Sequence, residues 1–171
     1  MRMQHWLRST ALFISVILLF SGCKIYRFKD VNIDPDIKTV KINFIENKAR
    51  YKSPQFSPQL TEKLRQKVNN QTRLTQIQGD NADYEISGYV SDYSATTSGI
   101  SNQQAATNRL NVAVHIIFKN RKNEKKNREE DVARNFDFSA NLSFDQAESQ
   151  LLSTVVQNLS DEIFNRIFSN W

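Results

Sequence analysis

Hydrophobic and polar positions change rhythm several times along this chain, and each change marks an element. Lys38 to Ile45 carries Val40, Ile42 and Phe44 at every second position, the period of a half-buried strand. A loop rich in charge and proline follows. Ser57 then precedes Pro58, an N-cap and first-turn pair, and Leu60, Leu64 and Val68 fall at i, i+4 and i+8 on one helical face. Gln71 to Gln78 predicts a short strand around Leu74 and Ile77, with a turn at Gly79-Asp80-Asn81. Tyr84, Ile86, Gly88 and Val90 alternate with Glu85, Ser87, Tyr89 and Ser91, a strand with a mixed outer face. Ser94 to Thr107 has no apolar period apart from Ile100 and reads as a long loop or a frayed hairpin. Leu110, Val112, Val114, Ile116 and Phe118 give the clearest alternation of all, and Val132, Arg134, Phe136 and Phe138 resume it after a basic loop.

The last element is helical. Ser143-Phe144-Asp145-Gln146 fits a capping box, in which the serine hydroxyl accepts from the N3 amide and the glutamine reaches back to the N-cap amide. Leu151, Leu152, Val155, Val156, Leu159, Ile163, Ile167 and Phe168 then form one broad apolar stripe that suits a core face covering a sheet, in a helix running nearly to Trp171. The order β-α-β-β-β-β-α predicts an α+β two-layer sandwich: a mixed sheet of four to five strands with two helices on one face. A parallel, right-handed first crossover would bring the end of the first strand, the turn near Gly79 and the loop 119–129 to one edge. Lys48, Arg50 and Lys52 would then join the basic loop in a single cationic pole.

Before the domain, the pattern is of another kind. Ala11 to Phe20 is apolar but for Ser15, follows Arg2 and Arg8, and ends in Ser21-Gly22-Cys23. That is signal-peptide grammar, and the run is too short for the ~20 residues that span a bilayer. Cys23 is the only cysteine. The junction is similar to a bacterial lipobox, with Phe20 where leucine is usual. Residues 1–22 are thus expected to be a lipoprotein signal, 23–37 an acylated cysteine and tether, and 38–171 one domain. An N-acyl chain and an S-diacylglycerol at Cys23 would anchor the chain without crossing the membrane. Lys24 stands where the inner-membrane retention signal has aspartate, which favours the periplasmic face of the outer membrane. A lone cysteine leaves the domain no internal disulfide.

Charge sharpens one region. Without the two arginines of the signal, 21 basic residues face 18 acidic ones, a net +3. Lys119, Arg121, Lys122, Lys125, Lys126 and Arg128 against Glu124 account for +5 within ten residues. The ordinary role of such a loop is a solvated hairpin tip that discourages edge pairing. Nucleic acid is a poor alternative in an exported chain without interleaved aromatics. Phosphate or an anionic lipid is the other candidate, at roughly 1 kcal/mol per cation toward an anionic head group. Together with Lys48, Arg50 and Lys52, these residues are the candidate anion-binding set.

Catalytic chemistry is hard to find. His5 leaves with the signal, and His115 has no cysteine and no second histidine beside it. It is expected to be a solvated or hydrogen-bonded strand residue, not a metal ligand. Neither a nucleophile elbow nor a glycine-rich phosphate loop is present. Nothing calls for an enzyme, a metal or a cofactor.

Several motifs together resemble a known family. Cys23 followed by Ile25-Tyr26-x-Phe28, Thr39-Val40-x-Ile42, Pro58-Gln59-Leu60-Thr61-Glu62-x-Leu64, Asn108-Arg109-Leu110-x-Val112-x-Val114 and the ending Ile163-Phe164-Asn165-x-Ile167-Phe168-x-Asn170-Trp171 look like the LptE lipopolysaccharide-assembly lipoproteins, in the form seen in Bacteroidetes. The resemblance implies the same sandwich. It also implies a non-enzymatic partner and plug of the outer-membrane β-barrel LptD, in contact with lipopolysaccharide. A lipid-anchored scaffold or auxiliary subunit of another envelope export complex is the competing expectation.

Overall fold

The computed structural model describes residues 33–101 and 104–169; the expected signal, Cys23 and Trp171 lie outside them. The chain folds as β1 (Thr39–Ile42), β2 (Glu46–Asn47), α1 (Phe56–Gln71), β3 (Thr75–Gln76), β4 (Tyr84–Ser101), β5 (Gln104–Asn120), β6 (Arg128–Ser139) and α2 (Phe144–Phe168). The expected α+β sandwich is present, with six strands in place of four or five. Its order is β3-β1-β4-β5-β6, with β2 also on β4; β1 runs parallel to β3 and β4, and β4, β5 and β6 are antiparallel.

Alternation places Val40, Ile42, Ile86, Val90, Leu110, Val112, Val114, Ile116, Phe118 and Val132 on one sheet face. There they meet Leu60, Leu64 and Val68 of α1 and Leu152, Val155, Leu159 and Ile163 of α2 in a single core. Both helices therefore cover the same face, and the opposite face stays open. The capping box on α2 forms as its sequence predicts. At α1 the reading shifts: the helix begins at Phe56, one residue before Ser57, whose hydroxyl is buried without a partner, while the Ser53 hydroxyl accepts the Phe56 amide at 3.3 Å.

Two further differences have physical causes. Phe44 continues the alternation in sequence but is half exposed, because β1 stops at Ile42 and the chain turns so that Ile45 fills the core position. Of the stretch Ser94 to Thr107, expected as a long loop or a frayed hairpin, the described residues form the hairpin and continue the β4–β5 ladder, with pairs at Ser94↔Asn111, Thr96↔Arg109 and Gly99↔Thr107. Backbone hydrogen bonds hold that arm, and its residues 95–98 are all exposed, so no apolar period announces it. Over eighteen residues, β4 spans about 60 Å. On the N-terminal side, Ile33 and Ile37 join the core, and Arg73 donates to the carbonyls of Ile33 and Asp34, so residues 33–37 of the expected tether are packed against the domain.

One strand position tolerates no side chain. A Cβ on Gly88 would lie 2.2 Å from the His115 carbonyl oxygen on the neighbouring strand. Gly88→Ala is expected to cost about 1–3 kcal/mol, the range for forcing atoms into a packed site, seen as a lower urea midpoint at unchanged slope.

Candidate functional site

The basic loop between β5 and β6 is built by asparagines. Asn120, fully buried, accepts the amides of Lys122 and Asn123 through Oδ1, both at 2.9 Å; Asn127 Oδ1 accepts the Asn120 amide at 2.7 Å. Asn123 Oδ1 then accepts the Lys125 amide, capping a single 3-10 turn over Glu124–Lys126. Short amide side chains satisfy the turn's backbone groups, so the cations are held on a defined scaffold. Most of them are already engaged. Lys126 pairs with Asp34 at 2.6 Å, Arg121 with Glu85 at 3.0 Å and Lys122 with Asp83 at 3.6 Å, while Arg128 donates to the Arg166 carbonyl. Lys119 stands opposite Glu85 in the ladder. Among the described residues, Lys125 has no ion pair.

Asp83 ties this end of the sheet together. Its carboxylate accepts the amides of Lys38 at 2.9 Å and Thr39 at 3.0 Å and the Thr39 hydroxyl at 3.0 Å. The Lys38 amide above all holds the Asp83 carboxyl below its usual range, against the opposing pull of burial.

The expected single cationic pole does not form. Val40 lies opposite Tyr84, and Tyr84 opposite Asn120, so the basic loop sits beside the start of β1 and not its end. The turn at Asp80 does share that edge, through the Lys41–Asp80 pair at 2.6 Å and the Arg121 amide on the Asp83 carbonyl. Lys48, Arg50 and Lys52 follow β2, which pairs with Tyr89 and Val90, about 20 Å further along β4 at the usual rise per residue. The β5–β6 loop neighbours the entry of β1 and not its exit, so a parallel crossover does not bring Lys48, Arg50 and Lys52 beside it.

On the open face, His115 sits between two carboxylates, with Nδ1 2.8 Å from Asp131 and Nε2 2.8 Å from Glu129. Its ring stacks on Tyr89, centroids 5.0 Å apart, and Lys48 Nζ lies 4.6 Å above that tyrosine on the same face. Hydrogen bonds to Asp131 and then Glu129 push the His115 pKa up. A raised folded-state pKa adds stability that is fully present below the unfolded value near 6.5 and is lost as pH rises through the folded value. The wild-type chain is therefore expected to exceed His115→Gln in stability by more at pH 6 than at pH 8.5, in paired urea titrations. No group of three His, Cys, Asp or Glu among the described residues is placed to hold a metal ion.

A third feature escaped the sequence reading. Arg50, Tyr51, Tyr93, Ser94, Ala95 and Phe144 line an open, mainly apolar pocket of about 430 Å³ where the β4–β5 arm leaves the helical layer. Tyr51 stacks on Tyr93 at 5.8 Å and meets Phe144 edge-on at 4.8 Å. Both tyrosine hydroxyls donate to Glu148, at 2.9 and 3.2 Å, and burial raises the Tyr93 pKa. The signal was present in Tyr51 and Phe144, aromatic residues outside any period, but nothing in sequence joins positions so far apart.

The sequence that builds this sandwich, residues 37–167, matches the model of the LptE lipopolysaccharide-assembly family. The chain belongs to the LptE family. Its work therefore lies in lipopolysaccharide assembly. Solved structures share the fold at low identity. A minor lipoprotein from Acinetobacter baumannii is 15% identical over 76% of this chain and 90% of its own, with a TM-score of 0.50. The PelC dodecamer of Paraburkholderia phytofirmans is 13% identical over 82% and 94%, at 0.51. A hypothetical protein of Chlamydia trachomatis is 9% identical over 77% and 95%, at 0.54. No curated protein matches the sequence.

Proposed function

We propose that this LptE-family chain is a non-enzymatic outer-membrane lipoprotein, acylated at Cys23, that partners and plugs an LptD-type β-barrel while lipopolysaccharide passes to the outer leaflet. The family match across nearly the whole folded domain carries this reading. Geometry supports it in one respect. The basic loop lies where the chain enters the domain, since Lys126 pairs with Asp34 just after residues 23–32. Ten residues reach about 35 Å at most, which keeps the loop within that distance of an acylated Cys23. Lys125, without an ion pair among the described residues, is available to the phosphates of lipid A or core sugars, whereas Lys122 and Lys126 must give up ion pairs to bind.

Depletion tests the pathway. Cells losing this chain are expected to retain full-length lipopolysaccharide inside the envelope and lose it from the surface, read by protease-free surface labelling; unchanged surface lipopolysaccharide would overturn the reading. The PelC fold forms a dodecamer, which favours as second reading a lipid-anchored scaffold or auxiliary subunit of another export complex.

A further inference from the structure

The sheet meets solvent along unequal edges. β6 forms one side and carries Arg128, Glu129, Glu130, Asp131, Arg134 and Asp137, charges that blunt pairing with another chain. β3, on the other side, is only two residues long. The far half of β4 has neither protection. Glu46 and Asn47 pair with Tyr89 and Val90, the Lys48 amide donates to the Val90 carbonyl at 3.0 Å, and there the chain turns away. From Asp92 to Ser101, β4 is paired only with β5 among the described residues. That stretch contains no Lys, Arg or Pro, and Ser94 to Gly99 is entirely Ser, Ala, Thr and Gly.

Backbone direction on this edge follows from its occupied part. The carbonyls of Ile86 and Val90 accept the amides of Asn43 and Lys48, so these core-facing residues turn their backbone groups toward β1 and β2. The bulge between Val90 and Asp92 moves the alternation by one, and Tyr93 takes the core-facing place. Tyr93, Ala95 and Thr97 consequently present their N–H and C=O groups to a lane that none of the described residues occupies. Ala95 lies opposite the buried Leu110 yet is itself exposed, because the helical layer ends at Phe144. The aromatic pocket opens at that spot, on the core side of the same lane.

We propose that this lane receives an extended segment of a partner protein, paired to β4 from Tyr93 to Thr97, with one large apolar side chain in the Tyr51–Tyr93–Phe144 pocket and an acidic residue on Arg50. Strand addition of this kind takes affinity from main-chain hydrogen bonds and specificity from pockets for alternate side chains. The lane is collinear with β2, so an added strand prolongs a ladder that already exists. Charge selects the neighbour. Glu148 is taken by the two tyrosine hydroxyls, and Arg50 has no ion pair among the described residues. A second copy of this chain fits poorly, since its own Ser94–Gly99 offers no large apolar side chain and brings another Arg50 instead of an acid. The interface stands whether or not the partner is the barrel.

Hydrogen exchange on the full-length chain tests it, comparing the detergent-extracted native assembly with the isolated chain. Amides of Tyr93, Ala95 and Thr97 are expected to exchange at least tenfold more slowly in the assembly, with β6 unchanged. Ala95→Pro removes an edge donor without touching the β5 ladder and should lower co-recovery of the assembly at least tenfold while unfolding stays cooperative. Ala95→Lys, which keeps the donor and fills the pocket mouth, should do the same if the proline variant fails to fold. Equal exchange in both samples, or full co-recovery of Ala95→Lys, would overturn the proposal. Protection that rises with concentration of the isolated chain would replace the partner segment with a second copy and overturn it too.

Discussion

Cys23→Ser is expected to move the chain from the membrane pellet to the soluble fraction and to abolish its palmitate label. Each buried CH₂ of an acyl chain contributes about 0.8 kcal/mol to membrane attachment, and one myristoyl chain alone gives only marginal, reversible binding. An N-acyl chain with an S-diacylglycerol exceeds that threshold, whereas among the described residues no helix is long and apolar enough to cross a membrane. Serine carries no thioether and therefore removes all of the anchoring chains at once. Fractionation with palmitate labelling of both proteins checks this. A serine variant that still pellets in high salt and carbonate would place the anchor elsewhere.

The second large effect is on stability. Leu159 is fully buried at the centre of the α2 stripe, within the core formed with α1 and the sheet. Leu159→Ala should cost about 2–5 kcal/mol, the lost transfer energy plus that of the cavity left behind. Typical domains hold only about 5–15 kcal/mol in all, so the variant should show a much lower urea midpoint and poor accumulation in cells. Leu151, on the same helix but only partly buried, should lose far less on the same substitution. Equal losses at the two positions would mean that α2 faces the sheet differently.

Periodicity carried most of the fold because it records burial. β5 and α2 were legible since every second residue of one, and a stripe of the other, faces a single core. The described part of the arm 94–107 was legible only as one of two alternatives, because its ladder is held by backbone groups that leave no mark on side-chain polarity. Phe44 misled for the opposite reason: it kept the rhythm for one step after the strand had ended. At the candidate site, the six cations of the basic loop were visible, but their ion pairs with Asp34, Asp83 and Glu85 join residues far apart in sequence. Sequence distance likewise hid the meeting of Tyr51, Tyr93 and Phe144, and the separation of Lys48, Arg50 and Lys52 from the basic loop.

The wild-type chain, purified through a C-terminal tag from detergent-solubilised outer membranes, should bring with it a large β-barrel protein of the LptD type in about equal amount, and retain it through a second, size-based separation. Recovery of the folded, acylated chain without any such barrel would contradict the partnership with an LptD-type barrel.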